Sequence, residues 1–281
     1  MPPRRRHRSR NGPAREPAPE RPARAVAPAG PPGRYREGVT APRVPEPFDA
    51  AGNASRPGPV THVWYAAYGS NTHPERLDCY LAGGRPPGGR RDVPGCRDPR
   101  RPRRSAPVLL RGRLYFATES AVWTGGRAFY DPEADGELPA HAYLLTVSQF
   151  SDIAAQEMYR EPDRDLDLTR VLARGRDRLG PGRYETLVCA GLLDGHPVLT
   201  FTAPWRSTEV PPNPPAAAYL RHIAAGIGAA HGWPPRRTAA YLATCPGVHP
   251  RWSAPRIAAL LTADPAGSAP AAPPARSRLA E

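Results

Sequence analysis

Trp64-Tyr65-Ala66-Ala67-Tyr68-Gly69-Ser70-Asn71 is the stretch from which the rest of the chain can be read. Residues 63–67 form a continuous run of β-branched, aromatic and small apolar side chains, the pattern of a buried strand. The run stops at Gly69-Ser70-Asn71, residues that punctuate strands and accept tight backbone geometry. A loop held at a strand end can direct successive backbone N–H groups to one side, where they hold a carboxylate or a developing oxyanion.

Working outward, Thr72 or His73 is placed to cap a short helix through Leu81, with Pro74 in its first turn. Gly83-Gly84 stops it, and an Arg-rich stretch over 85–106, broken by prolines and glycines, reads as a mobile loop. Residues 108–120 have strand composition with a bend at Gly112, and further strands are expected from Gly125-Gly126 to Tyr130 and over 138–146. Ser148 is expected to cap a helix running to about Arg160. Residues 161–182 read as charged and irregular. Residues 184–203 read as a hairpin turning at Asp194-Gly195. Asn213-Pro214 is expected to open a helix to about Ala230, and 236–244 a short final one.

Strands therefore lie on both sides of one helix without regular alternation. The expected class is α+β: a curled mixed sheet or small mixed β-barrel with helices packed on it. The expected organisation is an Arg/Pro-rich disordered tail over 1–60, a domain over 61–262 and an Ala/Pro-rich disordered tail over 263–281.

Charge supports that division. All 39 basic residues are Arg, and the net charge is +13. Residues 1–60 and 85–104 together carry the whole excess, so the rest of the chain is neutral. The Arg segments lack interleaved aromatics, which limits the nucleic-acid expectation to non-specific contact. Cys79, Cys96, Cys189 and Cys245 lie far apart without ligand spacing and read as free thiols. No apolar run reaches the ~18 residues of a membrane span and no signal-peptide core follows the first arginines, so no membrane partner is expected and a cytoplasmic location is.

On the helix over 148–160, Phe150, Ile153, Ala154, Glu157 and Met158 fall on one stripe. Glu157 thus sits within the core-facing apolar surface. Lost hydration raises the pKa of such a carboxyl, the direction needed by a general base that must return its proton near neutrality.

These residues resemble the γ-glutamylcyclotransferase family. The likeness rests on residues 65–71, on Gly125-Gly126-x-Ala128, on Gln156-Glu157 downstream of residues 142–146, and on Pro212-x-Pro214 followed by Tyr219. It spans about 63–246 and neither tail. The resemblance implies a cyclotransferase-like enzyme, of acyltransferase or amide-cleaving lyase type. It would convert a small-molecule γ-glutamyl amide into 5-oxoproline and a free amine, with no metal or organic cofactor. It implies Glu157 as the catalytic acid/base and a substrate pocket of Tyr68, Gly69, Ser70 and Asn71 with Tyr184 and Tyr219. The chain departs from the family at Thr72, where Leu is frequent, and in the long 161–182 segment. Two alternatives stand beside this reading: a lyase acting on a γ-glutamylated specialised metabolite, and an inactive scaffold that binds anions or nucleic acid.

Overall fold

The computed structural model describes residues 41–51, 58–89 and 91–263. Of the two tails expected from the sequence, residues 1–40, 52–57 and 264–281 lie outside the described residues.

The run quoted above is β1 (His62–Ala67), and every residue in it from Val63 to Ala67 is buried. It is a central strand. β5 (Glu137–Thr146) pairs with it antiparallel on one side, and β8 (His196–Thr202) pairs parallel on the other. β2 (Ser105–Arg111) adds to β5; β7 (Thr186–Leu193) and then β6 (Arg176–Arg178) add to β8. The order is β2-β5-β1-β8-β7-β6, a mixed sheet whose edge strands do not meet. The barrel alternative is therefore corrected to an open sheet. β3 (Arg113–Ala117) and β4 (Arg127–Asp131) form a separate antiparallel ribbon. Gly112 is the reason: at φ +116 it turns the chain out of β2, and a Cβ there would stand 2.5 Å from the Asp131 carbonyl oxygen.

Side chains alternate across β1. Trp64 and Ala66 join one core with Leu220, Ile223, Ile227, Leu242 and Ile257. These belong to α4 (Ala217–His231), α5 (Pro235–Thr244) and α6 (Ala254–Thr262). Val63, Tyr65 and Ala67 join the opposite core with Leu77, Leu81, Phe150 and Ile153, from α1 (Pro74–Ala82) and α2 (Val147–Glu157). Burial on both faces is what makes β1 read as an unbroken apolar run. The class is α+β, with helices on both sides of a mixed sheet. Among the described residues no helix is long and apolar enough to cross a membrane.

Several elements differ from their sequence expectations. α2 begins at Val147 because Thr146, not Ser148, is its cap. The Thr146 hydroxyl accepts from Gln149 N at 3.1 Å, and the Gln149 side chain accepts from Thr146 N at 3.2 Å, a reciprocal capping box. The 161–182 segment contains α3 (Thr169–Arg174) as well as β6. α6 follows the helix expected to be last.

The stretch after Gly84 is irregular but tied down. Gly84 and Val93 exchange backbone hydrogen bonds, and Cys96 N donates to Leu81 O. Arg97 grips the fully buried Asp152 of α2 through its backbone N–H, at 2.8 Å, and through its guanidinium. Residues 41–51, upstream of the expected domain start, also lie against the sheet. Arg43 N donates to Pro107 O, Glu46 and Leu192 exchange backbone hydrogen bonds, and the Arg43 guanidinium pairs with Asp194.

Candidate active site

The chain leaves β1 at Tyr68 and makes one turn of 3-10 helix over Ser70–Thr72 before α1. Thr72 anchors that turn. Its hydroxyl donates to Gly69 O at 2.7 Å, while its carbonyl accepts from His141 Nδ1 and the Tyr143 hydroxyl, both at 3.0 Å. Burial pushes His141 down to about 4, so the ring is neutral near pH 7. α4 comes close enough that a Cβ on Gly226 would overlap the Thr72 hydroxyl. The Thr72 hydroxyl thus closes the loop on itself. Thr72 N and His73 N donate back to Gly69 O and Ser70 O. Among the described residues, the amide N–H groups of Gly69, Ser70 and Asn71 have no acceptor.

Glu157 is the last residue of α2. Its Oε1 accepts from Asn71 Nδ2 at 3.0 Å. Burial raises its pKa above the ordinary value, with the Tyr80 hydroxyl, the Arg76 guanidinium and Asn71 pulling the other way. The negative end of the α2 dipole also disfavours the ionised form. Asn71 has a second notable atom: its Oδ1 is buried without a hydrogen-bond partner. An unmet buried acceptor costs about 1–3 kcal/mol, which a ligand N–H can recover.

Two tyrosines from distant elements converge on one residue of β4, Ala128. The Tyr184 hydroxyl donates to Ala128 O at 3.1 Å, and Ala128 N donates to the Tyr219 hydroxyl at 3.4 Å. Gly125-Gly126 makes this approach possible. A Cβ on Gly125 would stand 2.8 Å from Pro214 O, and one on Gly126 would overlap Asn213 O, so the chain entering α4 can pass over β4 only at glycine. Asn213, expected to cap that helix, is held four residues upstream of it by Thr118 O and Glu119. Burial pushes the Tyr219 hydroxyl up to about 12 and raises Tyr65, Tyr68 and Tyr184 as well, so all four are neutral hydroxyls at physiological pH.

Glu157, Tyr68, Gly69, Ser70, Asn71, Tyr184 and Tyr219, the residues singled out in the sequence, all line one chamber of about 40 Å³. Tyr65, Ala128 and Phe201 complete it. That volume is several times the ~10–15 Å³ one water requires. Tyr68 shapes the wall with its ring, its hydroxyl being committed to Phe201 O at 2.8 Å. Ser70, Glu157, Tyr184 and Tyr219 also border an outer vestibule of about 90 Å³, lined further by Arg76, Tyr80, Arg91, Trp123 and Arg127. Sequence reasoning missed Tyr65, Arg76 and Tyr80. The i, i+4 spacing of Arg76 and Tyr80 on α1 was the available signal. Among the described residues no group of three or more His, Cys, Asp or Glu side chains could hold a metal ion, and Cys79, Cys96 and Cys245 are free thiols.

No family model matches the chain. An alignment of 183 positions, which covers 59% of this chain and 28% of the other protein, is 32% identical to Histone deacetylase 5 of Arabidopsis thaliana, so the chain spans under a third of that relative's length. Two solved structures are similar at a TM-score of 0.39. One is a human protein described as uncharacterized, with 17% identity over 66% of this chain and 89% of that one. The other is a gamma-glutamyl cyclotransferase, with 16% identity over 71% of this chain and 98% of that one.

Proposed function

We propose that the chamber cyclises a γ-glutamyl amide to 5-oxoproline and releases the amine. The observation that carries this reading is the chamber itself. A half-buried carboxyl of raised pKa and an unmet buried acceptor share it with three consecutive amides that have no acceptor among the described residues.

A γ-glutamyl amide carries its own nucleophile. Its α-amine attacks the γ-carbonyl carbon and closes a five-membered lactam. The new C–N bond forms as the carbonyl becomes a tetrahedral oxyanion, and the bond to the leaving nitrogen then breaks. Asn71 Oδ1 and the ionised Glu157 receive the substrate's ammonium. Glu157 takes one proton from it, freeing the lone pair, and passes that proton to the departing nitrogen; the carboxylate so regenerated takes the second proton from the lactam nitrogen, and the released amine carries it away as its ammonium. The chain's own return through a neutral carboxyl is what a raised pKa eases. The amides of Gly69, Ser70 and Asn71 hold the oxyanion, a type of contact whose removal costs about 3–4 kcal/mol. Tyr184 and Tyr219, fixed through Ala128, wall the substrate into ring-closing geometry, and such preorganisation supplies roughly 7–11 kcal/mol.

The test is to incubate the full chain with a panel of γ-glutamyl amides and measure 5-oxoproline together with the freed amine. Equimolar release of both from at least one member is the expected result. Glutamate in place of the lactam would point to hydrolysis and refute ring closure.

A further inference from the structure

The vestibule in front of the chamber has a composition that lactam formation does not require. Among the described residues three guanidinium groups border it, Arg76, Arg91 and Arg127, against a single carboxylate, Glu157. Among the described residues none of the three arginines is in an ion pair. Nearby acids are engaged elsewhere: Asp92 pairs with Arg85 at 2.8 Å and the Glu119 carboxylate accepts from Asn213. Arg76 is only 4% exposed. One of its terminal nitrogens donates to Pro87 O, its guanidinium lies 5.3 Å over the Trp123 ring, and its buried Nε has no partner. The Glu157 carboxylate is shared by Arg76 and Arg91 and makes no ion-pair contact with either, so the buried Arg76 is short of counter-charge, which is costly unless a ligand supplies it. Trp123 stacks on Tyr219 at 5.3 Å and 19°, and Arg91 lies over Tyr159 at 4.2 Å, so both the arginines and the aromatic walls are held in place.

Three positive charges against one negative leave room for two more negative charges. Guanidinium forks match the paired oxygens of carboxylates and phosphates. We propose that the vestibule is the leaving-amine subsite and takes a dianionic amine, its charge carried by a phosphate monoester or by two carboxylates, with Arg76 as the buried anchor and Arg91 at the mouth. This rests on the cyclisation reading for the word leaving, and on the vestibule alone for the dianion.

The experiment has two arms, both on the full chain at fixed ionic strength. The first measures 5-oxoproline release from γ-glutamyl conjugates of phosphoethanolamine, glutamate, alanine and ethylamine. The second titrates inorganic phosphate calorimetrically. Wild type should prefer a dianionic conjugate over the ethylamine one in kcat/KM. That ratio, and phosphate affinity, should each fall about tenfold or more in Arg91→Ala and in Arg76→Lys, which keeps charge in the buried position but loses the fork. The phosphoethanolamine and glutamate members distinguish the two dianion sources. Equal turnover of ethylamine and dianionic conjugates overturns the dianion inference and leaves ring closure standing. Arginine-dependent phosphate binding with no turnover of any member keeps the dianion site and refutes ring closure. Neither binding nor turnover overturns both.

Discussion

Gly126→Ala is the substitution whose consequence follows most directly from the geometry. The added carbon would overlap the Asn213 carbonyl oxygen and stand 2.8 Å from its carbon, whereas carbon–carbon contacts sit at about 3.5–4 Å. Backbone meets backbone there, so no rotamer change relieves it, and β4 and the 213–216 segment must part by about 1 Å. That segment leads directly into α4 and Tyr219, whose hydroxyl meets Ala128 N at 3.4 Å, already near the hydrogen-bond limit. The expected result is a stability loss of about 1–3 kcal/mol from overpacking. Turnover should fall by up to about 100-fold, because a wall of the chamber moves by an ångström. Urea denaturation followed by circular dichroism measures the first and 5-oxoproline release the second. Gly228→Ala is the matched control: it lies inside α4, its nearest neighbour is Trp233 O at 3.8 Å, and it should stabilise by about 0.5–1 kcal/mol. A Gly126→Ala protein as stable as wild type would refute the account of why β4 and the α4 lead-in require glycine.

Three further expectations concern the loop and its anchors. Thr72→Val removes the 2.7 Å hydrogen bond to Gly69 O at nearly constant volume and should cost about 1 kcal/mol by urea denaturation; an unchanged midpoint would show the hydroxyl does not fix the loop. His141 is held neutral, its pKa depressed from 6.5 to about 4, so the folded state binds fewer protons than the unfolded one between those values. Stability from this group is present above 6.5 and is lost as pH falls, by up to about 3 kcal/mol, and His141→Gln should flatten that part of the pH–stability curve. A variant with wild-type slope would assign the acid sensitivity to other groups. Asn71→Ala deletes a donor that lowers the Glu157 pKa, so the acidic limb of kcat/KM should move to higher pH; movement to lower pH would contradict the assigned hydrogen bond.

β1 and its loop were legible because burial on both faces removes all polar residues from 63–67, and because Gly69-Ser70-Asn71 cannot continue a strand. Glu157 was legible because helix periodicity places it beside Ile153 and Ala154, both fully buried. The start of α2 was misplaced by two residues, although T-V-S-Q carries the capping-box pattern that Thr146 and Gln149 satisfy. What could not be read was long-range pairing. Arg97 looks like one arginine in a basic run until Asp152, 55 residues away, is placed beneath it. The 85–106 segment therefore read as free when its anchors lie on α1 and α2. α6 was hidden by the Ala-rich composition it shares with the chain end, its one local sign being Ser253, whose hydroxyl accepts from Arg256 N at 3.4 Å. The vestibule escaped because Arg76, Arg91 and Arg127 come from three segments that meet only in the fold.

The decisive comparison is lactam formation by wild type and Glu157→Gln on the best γ-glutamyl amide of the panel. Glutamine keeps the side chain's size and can still accept from Asn71, but it cannot carry a proton between the two nitrogens. The mutant should lose about 10²- to 10⁴-fold in kcat, the usual span for a positioned acid/base. Because a raised carboxyl pKa means the folded state disfavours ionised Glu157, the same protein should unfold at equal or higher urea concentration at pH 7. Undiminished kcat in a folded Glu157→Gln protein would contradict the claim that this carboxyl transfers the proton.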